Sequence, residues 1–280
     1  MENIEKLKTI ATQVRRDIVR MVNLAGSGHP GGSLSSADVL TALYFSVMDQ
    51  APERWRRDAE GQDAFILSAG HISPVYYSVL ARRGYFPVSE LATFRRFGAR
   101  LQGHPEVKKG LPGVFQASGS LGQGLSVAAG IALGKKLSGD DHKVYCLCGD
   151  GESEEGQIWE AGMFAVHHGL GNLIAMTDWN GQQIDGPVAS VAGEGDLEAK
   201  WKAWGWRVIV ADGHDMEVVL KTFAEAKVSD GRPTMILWKT DMGRGISFMA
   251  GTHKWHGKVP SADQVAEALA ELGETPLGDF

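Results

Sequence analysis

Cysteine is nearly absent: two residues in 280, Cys146 and Cys148, which is too few for a disulfide framework. They stand two apart in an apolar run. On a strand they share a face near the upper distance limit for a bridge, so both are expected as buried thiols. Nor does any stretch approach the roughly 18 uninterrupted apolar residues of a membrane helix. The opening Met1-Glu2-Asn3-Ile4-Glu5 lacks the basic and apolar pattern of a secretion signal, so a cytoplasmic protein without membrane contact is expected. An excess of positive charge is missing too, and a net charge of -6 argues against nucleic acid as a main partner. There is no internal repeat, low-complexity tract or linker. The default is a single domain over residues 1–280 with a C-terminal extension, a length that one large α/β sheet accommodates. At 43% hydrophobic and 22% charged, the chain has enough apolar material for a sizeable core.

What is present is an alternation. Apolar strand-like runs fall at 64–67, 144–147, 173–176, 207–210 and 235–238, separated by segments of helical period at 4–24, 36–47, 125–137, 157–168, 215–227 and 262–272. Strand and helix in turn predict a parallel sheet, and continuous apolar strands predict helices on both faces: a three-layer α/β/α fold with a mostly parallel sheet. Ser35 or Ser36 is expected to cap the second helix, and Asp212-Gly213-His214-Asp215 to turn into the fifth. The Gly-rich stretches 186–195 and 243–257 read as loops near the ligand end.

In such sheets ligands sit at the carboxyl ends of strands. There the chain places Gly149-Asp150-Gly151 after one strand and Asp178-Trp179-Asn180 after the next. The side-chain oxygens of Asp150 and Asn180 are hard ligands suited to Mg2+ or Ca2+, a cation that keeps a few protein oxygens and takes the rest from a substrate phosphate. Gly151 lets backbone close on a phosphate oxygen. The turn Glu152 to Glu155 opens a helix whose first N–H groups favour an anion. His29, His71, His104, His214 and His256 stand in Gly-rich or turn-like surroundings.

Together Gly28-His29-Pro30-Gly31, Gly70-His71, Gly103-His104-Pro105-Glu106, Gly119-Ser120-Leu121-Gly122-Gln123-Gly124, Gly149-Asp150-Gly151 through Gly156, Asp178-Trp179-Asn180 through Gly186, and Trp255-His256-Gly257 carry a resemblance over nearly the whole chain. The sequence resembles the thiamine diphosphate-dependent transketolases in their N-terminal, diphosphate-binding part. The resemblance implies the thiamine diphosphate-binding fold, with the metal held by the side chains of Asp150 and Asn180 and the main-chain carbonyl of Gln182, where the family has an aliphatic residue. It implies that Gly151 approaches the diphosphate and that Gly119 and Leu121 contact the aminopyrimidine ring. His29, His71, His104 and His256 would line the substrate channel, positioning sugar hydroxyls and moving protons, work that suits a side chain titrating near neutrality. Glu155 and Glu160 match acidic residues expected to be buried against symmetry mates, whereas a helix-start acid is the plain alternative for Glu155. His214 is left as a turn and cap residue.

The resemblance further implies that the glutamate activating the cofactor and the basic residues gripping the sugar phosphate belong to pyrimidine-binding and C-terminal domains absent from this chain. The expectation is a split enzyme. This N-terminal subunit would pair with a C-terminal partner subunit in an α2β2 assembly that transfers a two-carbon ketol unit between sugar phosphates. The enzyme alternatives are the α subunit of a 2-oxo acid dehydrogenase, a 1-deoxyxylulose phosphate synthase fragment, and a transketolase of an unusual sugar. The His104 and His256 motifs favour the transketolase type. A non-catalytic relative and a generic nucleotide-binding module are the remaining classes. The Gly119–Gly124 loop follows no clear strand, as a dinucleotide fingerprint would require.

Overall fold

The computed structural model describes residues 4–280; Met1, Glu2 and Asn3 of the N-terminal segment lie outside the described residues. Five parallel strands, β1 (Ala64–Leu67), β2 (Val144–Gly149), β3 (Leu173–Trp179), β6 (Arg207–Asp212) and β7 (Thr234–Lys239), form one sheet in the order β1-β2-β3-β7-β6. A small antiparallel hairpin, β4 (Gln182–Gln183) with β5 (Gly186–Pro187), follows β3. The helices are α1 (Ile4–Ala25), α2 (Pro30–Ser35), α3 (Ala37–Ala42), α4 (Ser73–Arg83), α5 (Gln123–Ser138), α6 (Gly156–His167), α7 (Val188–Val191), α8 (Leu197–Ala203), α9 (Met216–Lys227) and α10 (Ala262–Leu272).

The alternation of side chains along the strands builds two cores. Phe65, Leu67, Tyr145, Leu147, Ile174, Met176, Ile236 and Trp238 face α1, α3, α4 and α9, while Ile66, Cys146, Ala175, Met235 and Leu237 face α5, α6 and α8. Both faces are covered, which is the three-layer α/β/α arrangement expected. Cys146 and Cys148 are buried free thiols with Sγ atoms 3.9 Å apart.

All five strands stand where the apolar runs put them, with β2 and β3 running on to Gly149 and Trp179. Two helices carry no period that betrays them. In α4 every residue from Ser73 to Ala81 is buried, so no polar face interrupts its β-branched and aromatic run. Only Pro74 at its start and left-handed Gly84 at its end mark it. The seven-residue α8 is signalled by Asp196, whose side chain accepts from the Ala199 N–H. The segment expected as one helix over 36–47 is α3 followed by a π turn (Leu43–Val47). Ser36 holds its N-cap position without a side-chain capping bond, contrary to its expected role. Asp215 does cap α9, accepting from Glu217 and Val218.

Gly28-His29-Pro30-Gly31-Gly32 is not simply a loop. From Pro30 it is the helix α2, and glycine is there for clearance: a Cβ at Gly31 would lie 2.7 Å from Met242 Cγ, and one at Gly32 2.8 Å from Ile72 Cγ2. Close approach of α2 brings His29 and Ser35 to the carboxyl rim of the sheet. Three buried ion pairs anchor α1, the frame for this side: Arg15 with Asp38, Arg82 with Asp17, and Arg16 with Asp279 of the C-terminal strap.

Candidate active site

A cavity opens at the carboxyl rim. Its wall includes Ala69 and His71 after β1, Gly149 to Glu152 after β2, and Asp178 and Asn180 at the end of β3. Gln182 to Ile184 of the hairpin and Met242 after β7 continue it, with Gly119 and Leu121 before α5, and His29 and His256 on the far side.

At the β2 and β3 ends the side chains are held from behind. Asp150 accepts from the backbone N–H groups of Gly151 at 2.8 Å and Gly181 at 2.5 Å. Asn180 donates through Nδ2 to Asp178 Oδ2 at 3.0 Å, and its Oδ1 accepts from the Gln182 N–H at 3.0 Å, so the carboxamide has one orientation. Asp178, fully enclosed, is itself held by Ser35 Oγ and Thr240 Oγ1, each at 2.5 Å. Burial, with Asp178 alongside, pushes the Asp150 carboxyl well above the ordinary carboxylate range. No Lys or Arg stands among the described residues of the cavity wall. Two enclosed acids without a matching base form a seat for a cation, and a cation in turn makes an anionic diphosphate acceptable there. Among the described residues no group of three or more His, Cys, Asp or Glu side chains could hold a metal. Any cation seat here therefore rests on Asp150 with carboxamide and backbone oxygens, the mixed set that Mg2+ accepts when phosphates complete its shell.

Glu152 is the buried acid that sequence patterning leaves unmarked. Its carboxylate accepts from Ser68 Oγ, from the Gly122 N–H at 2.8 Å and from the Gly149 N–H at 2.9 Å, tying the Gly119–Gly122 turn to the ends of β1 and β2. The turn is tight. Gly119 has φ +141, and a Cβ there would lie 3.3 Å from the His104 ring.

Opposite the acids the histidines form one cluster. His29 lies 5.3 Å from His71, 5.5 Å from His256 and 6.3 Å from His104 between ring centroids, and His71 stacks on His256 at 5.0 Å. Burial, with repulsion from His256, Arg95 and His104, lowers His29 to about 4. Burial and the neighbouring histidines lower His71 to about 3. His104 and His256 are lowered chiefly by burial. At neutral pH all four are uncharged, each able to donate at one ring nitrogen and accept at the other. That is the equipment for holding hydroxyl groups and relaying a proton at a carbonyl oxygen. His104, the most exposed, stands at the mouth.

Of the residues singled out by sequence, the structure gathers His29, His71, His104, His256, Gly119, Leu121, Asp150, Gly151, Asn180 and Gln182 around this one space. It does not bring Glu155 or Glu160 there, nor bury them within the chain. Glu155 sits at the N-cap position of α6, and Glu160 lines a surface groove with Ser126, Gln157 and Phe164; both are exposed. The reason is local geometry: the turn at Gly151–Glu154 aims Glu152 inward and starts α6 with its acids outward. His214 is more than a turn residue. Its Nδ1 donates to Asp38 at 3.0 Å and its Nε2 accepts from the Asp241 N–H at 2.9 Å, linking α3 to the segment after β7. The signal for Asp178 lay in its motif beside Asn180, whereas Ser35 and Thr240 are remote in sequence and carried none.

A parallel α/β domain with a cation-and-diphosphate seat at its carboxyl rim, faced by neutral histidines, defines a diphosphate-cofactor enzyme. A family profile described as transketolase, thiamine diphosphate binding domain, matches residues 6–280. One of the two subunits of the apulose-4-phosphate transketolase of Phocaeicola vulgatus is 37% identical over 97% of this chain and 95% of its own length. The 6-deoxy-6-sulfo-D-fructose transketolase subunit SqwG of a Clostridium species is 40% identical over 94% of each. A crystal structure of Campylobacter jejuni transketolase superposes with a TM-score of 0.91 at 35% identity, covering 99% of this chain and 44% of that one. The chain belongs to the transketolase family, as its thiamine diphosphate-binding domain. Among the described residues no helix is long and apolar enough to cross a membrane.

Proposed function

We propose that this chain is the N-terminal subunit of a two-chain transketolase that moves a two-carbon ketol unit from a ketose phosphate to an aldose phosphate. The observation that carries the reading is the juxtaposition of the cation seat at Asp150 and Asn180 with the cluster of four neutral histidines across the same cavity. Relatives of matching length bear subunit names, which supports a separate partner supplying the pyrimidine-binding part.

In this reading Asp150, Asn180 and the Gln182 carbonyl hold Mg2+ or Ca2+, Gly151 lies against the diphosphate, and Gly119 and Leu121 border the aminopyrimidine. Thiamine diphosphate, when bound, supplies the carbon nucleophile and electron sink for cleaving the ketose C2–C3 bond. His29, His71, His104 and His256 orient the sugar hydroxyls, and by their neutral nitrogens hold or move the proton at the sugar carbonyl oxygen. An α2β2 assembly is supported by the α5–α6 surface, where Val127, Leu137, Met163 and Phe164 stand exposed beside Glu155 and Glu160. Two buried free thiols support a reducing, cytoplasmic setting. A second reading, a transketolase for an unusual sugar, is favoured by the substrates for which the two relatives are named, apulose 4-phosphate and 6-deoxy-6-sulfo-D-fructose.

The test is ketol transfer from xylulose 5-phosphate to ribose 5-phosphate with Mg2+ and thiamine diphosphate, by this chain alone and mixed with a candidate partner. Turnover only in the mixture, lost in Asp150→Ala or His104→Ala, supports the two-chain enzyme. Turnover by the chain alone refutes the need for a partner. Silence with pentose phosphates but turnover with a branched or sulfonated ketose selects the second reading.

A further inference from the structure

Gly151 is the residue whose missing side chain should let backbone meet the cofactor diphosphate. In the structure that space is already taken. A Cβ on Gly151 would lie 2.5 Å from Gln183 Oε1 and 3.0 Å from Gln183 Cβ, so the glycine makes room for the carboxamide of the hairpin residue opposite. Gln183 is fixed there by pairing of β4 with β5, where it stands across from Gly186. It lines the cavity together with Asp150, Gly151 and Asn180. Its Nε2 is buried and has no hydrogen-bond partner. An enclosed amide donor without an acceptor is costly and calls for a partner. The polar neighbours that close the site around it already have their own bonds: Asp150 accepts from Gly151 and Gly181, and Asn180 is committed to Asp178 and Gln182.

We propose that the Gln183 carboxamide is a diphosphate-binding group, its Nε2–H donating to an oxygen of the cofactor diphosphate beside the metal. The inference rests on the reading of this cavity as the diphosphate site. It adds a side-chain donor where the wall offers the anion no Lys or Arg, and it assigns Gly151 a further task, clearance for Gln183. A neutral amide suits the position: it donates a bond without neutralising Asp150, which the cation needs.

The experiment uses the full chain and measures affinity by calorimetry for two ligands, inorganic pyrophosphate with Mg2+ and thiamine diphosphate with Mg2+, with unliganded melting temperature as a folding control. Gln183→Met keeps the length and loses the donor; the expected result is about ten- to a hundredfold weaker binding of both ligands by a similar factor, as for a bond to a charged group. Gln183→Glu, which sets a charge against the anion, should bind both more weakly still. Gly151→Ala, which must push the carboxamide aside, should give the same parallel loss even if Gln183→Met folds poorly. Pyrophosphate binding within twofold of wild type in Gln183→Met, or a loss confined to thiamine diphosphate, overturns the proposal. If the wild-type chain binds neither ligand, the diphosphate-site reading fails and the proposal with it.

Discussion

Replacing Glu152 with alanine tests whether the cavity is organised by this buried acid. The substitution removes the acceptor of two backbone N–H groups, Gly122 and Gly149, and one of the bonds of Ser68 Oγ. Each buried donor left without an acceptor costs about 1–3 kcal/mol. An opposing effect reduces the sum: burial raises the Glu152 carboxyl above its ordinary value despite those three donors, so removing the charge relieves a desolvation cost. A net loss of about 3 kcal/mol results. Unfolding entropy of about 2.1 cal/mol/K per residue gives roughly 0.6 kcal/mol/K for this chain, so the melting temperature should fall by about 5 °C. Glu152→Gln, which keeps one acceptor oxygen but sets an NH2 group against a backbone N–H, should fall between alanine and wild type. Differential scanning calorimetry at neutral pH reads all three. Because the Gly119–Gly122 turn and the Gly149 end both border the cavity, thiamine diphosphate affinity should decline alongside stability, with the larger decline in the alanine variant. Melting of Glu152→Ala within about 1 °C of wild type, or a glutamine variant less stable than the alanine one, would refute the reasoning.

The histidine cluster sets an acid limit: folded pKa values of about 4 for His29 and about 3 for His71 lie below the ordinary 6.5, so the unfolded chain binds more protons over that interval. Stability from these two is therefore complete above pH 6.5 and lost as pH falls towards 4 and 3. Melting curves of a His29→Gln, His71→Gln double variant should show a shallower acid slope than wild type, and parallel slopes would contradict the burial argument. Asp150→Asn removes charge that is unfavourable next to Asp178 but forfeits one backbone bond, so the unliganded melting temperature should change little. Stabilisation by Mg2+ with pyrophosphate should nevertheless be lost, and its survival in a thermal-shift titration would remove Asp150 from the cation seat. His214→Phe should cost about 2 kcal/mol by leaving the Asp241 N–H without its acceptor and Asp38 without one donor, read by urea denaturation. Cys146 and Cys148 should resist a thiol reagent in the native chain and both react after unfolding, because the shared contact and burial hold the Cys148 thiol up.

What the sequence by itself determined was whatever depends on near neighbours. Strand positions follow from short apolar runs, and the parallel three-layer fold follows from their alternation with helices. Asp150 and Asn180 were legible because each ends such a run, and strand ends converge on one rim. The histidines were legible because glycine and proline beside them mark turns. What only the tertiary structure decided depends on contacts across tens or hundreds of residues. Ser35 and Thr240 meet at Asp178 because α2 packs against the segment after β7, a closeness that Gly31 and Gly32 permit and no local pattern announces. Which of the acids at 152, 155 and 160 faces inward was set by how the turn at 151–154 delivers the chain into α6, a rotation that composition cannot encode. The helix α4 escaped notice because complete burial erases the polar face that reveals a helix. Gln183 escaped because its meaning lies in an unpaired donor against Gly151, and whether a donor is paired is a property of the folded chain alone.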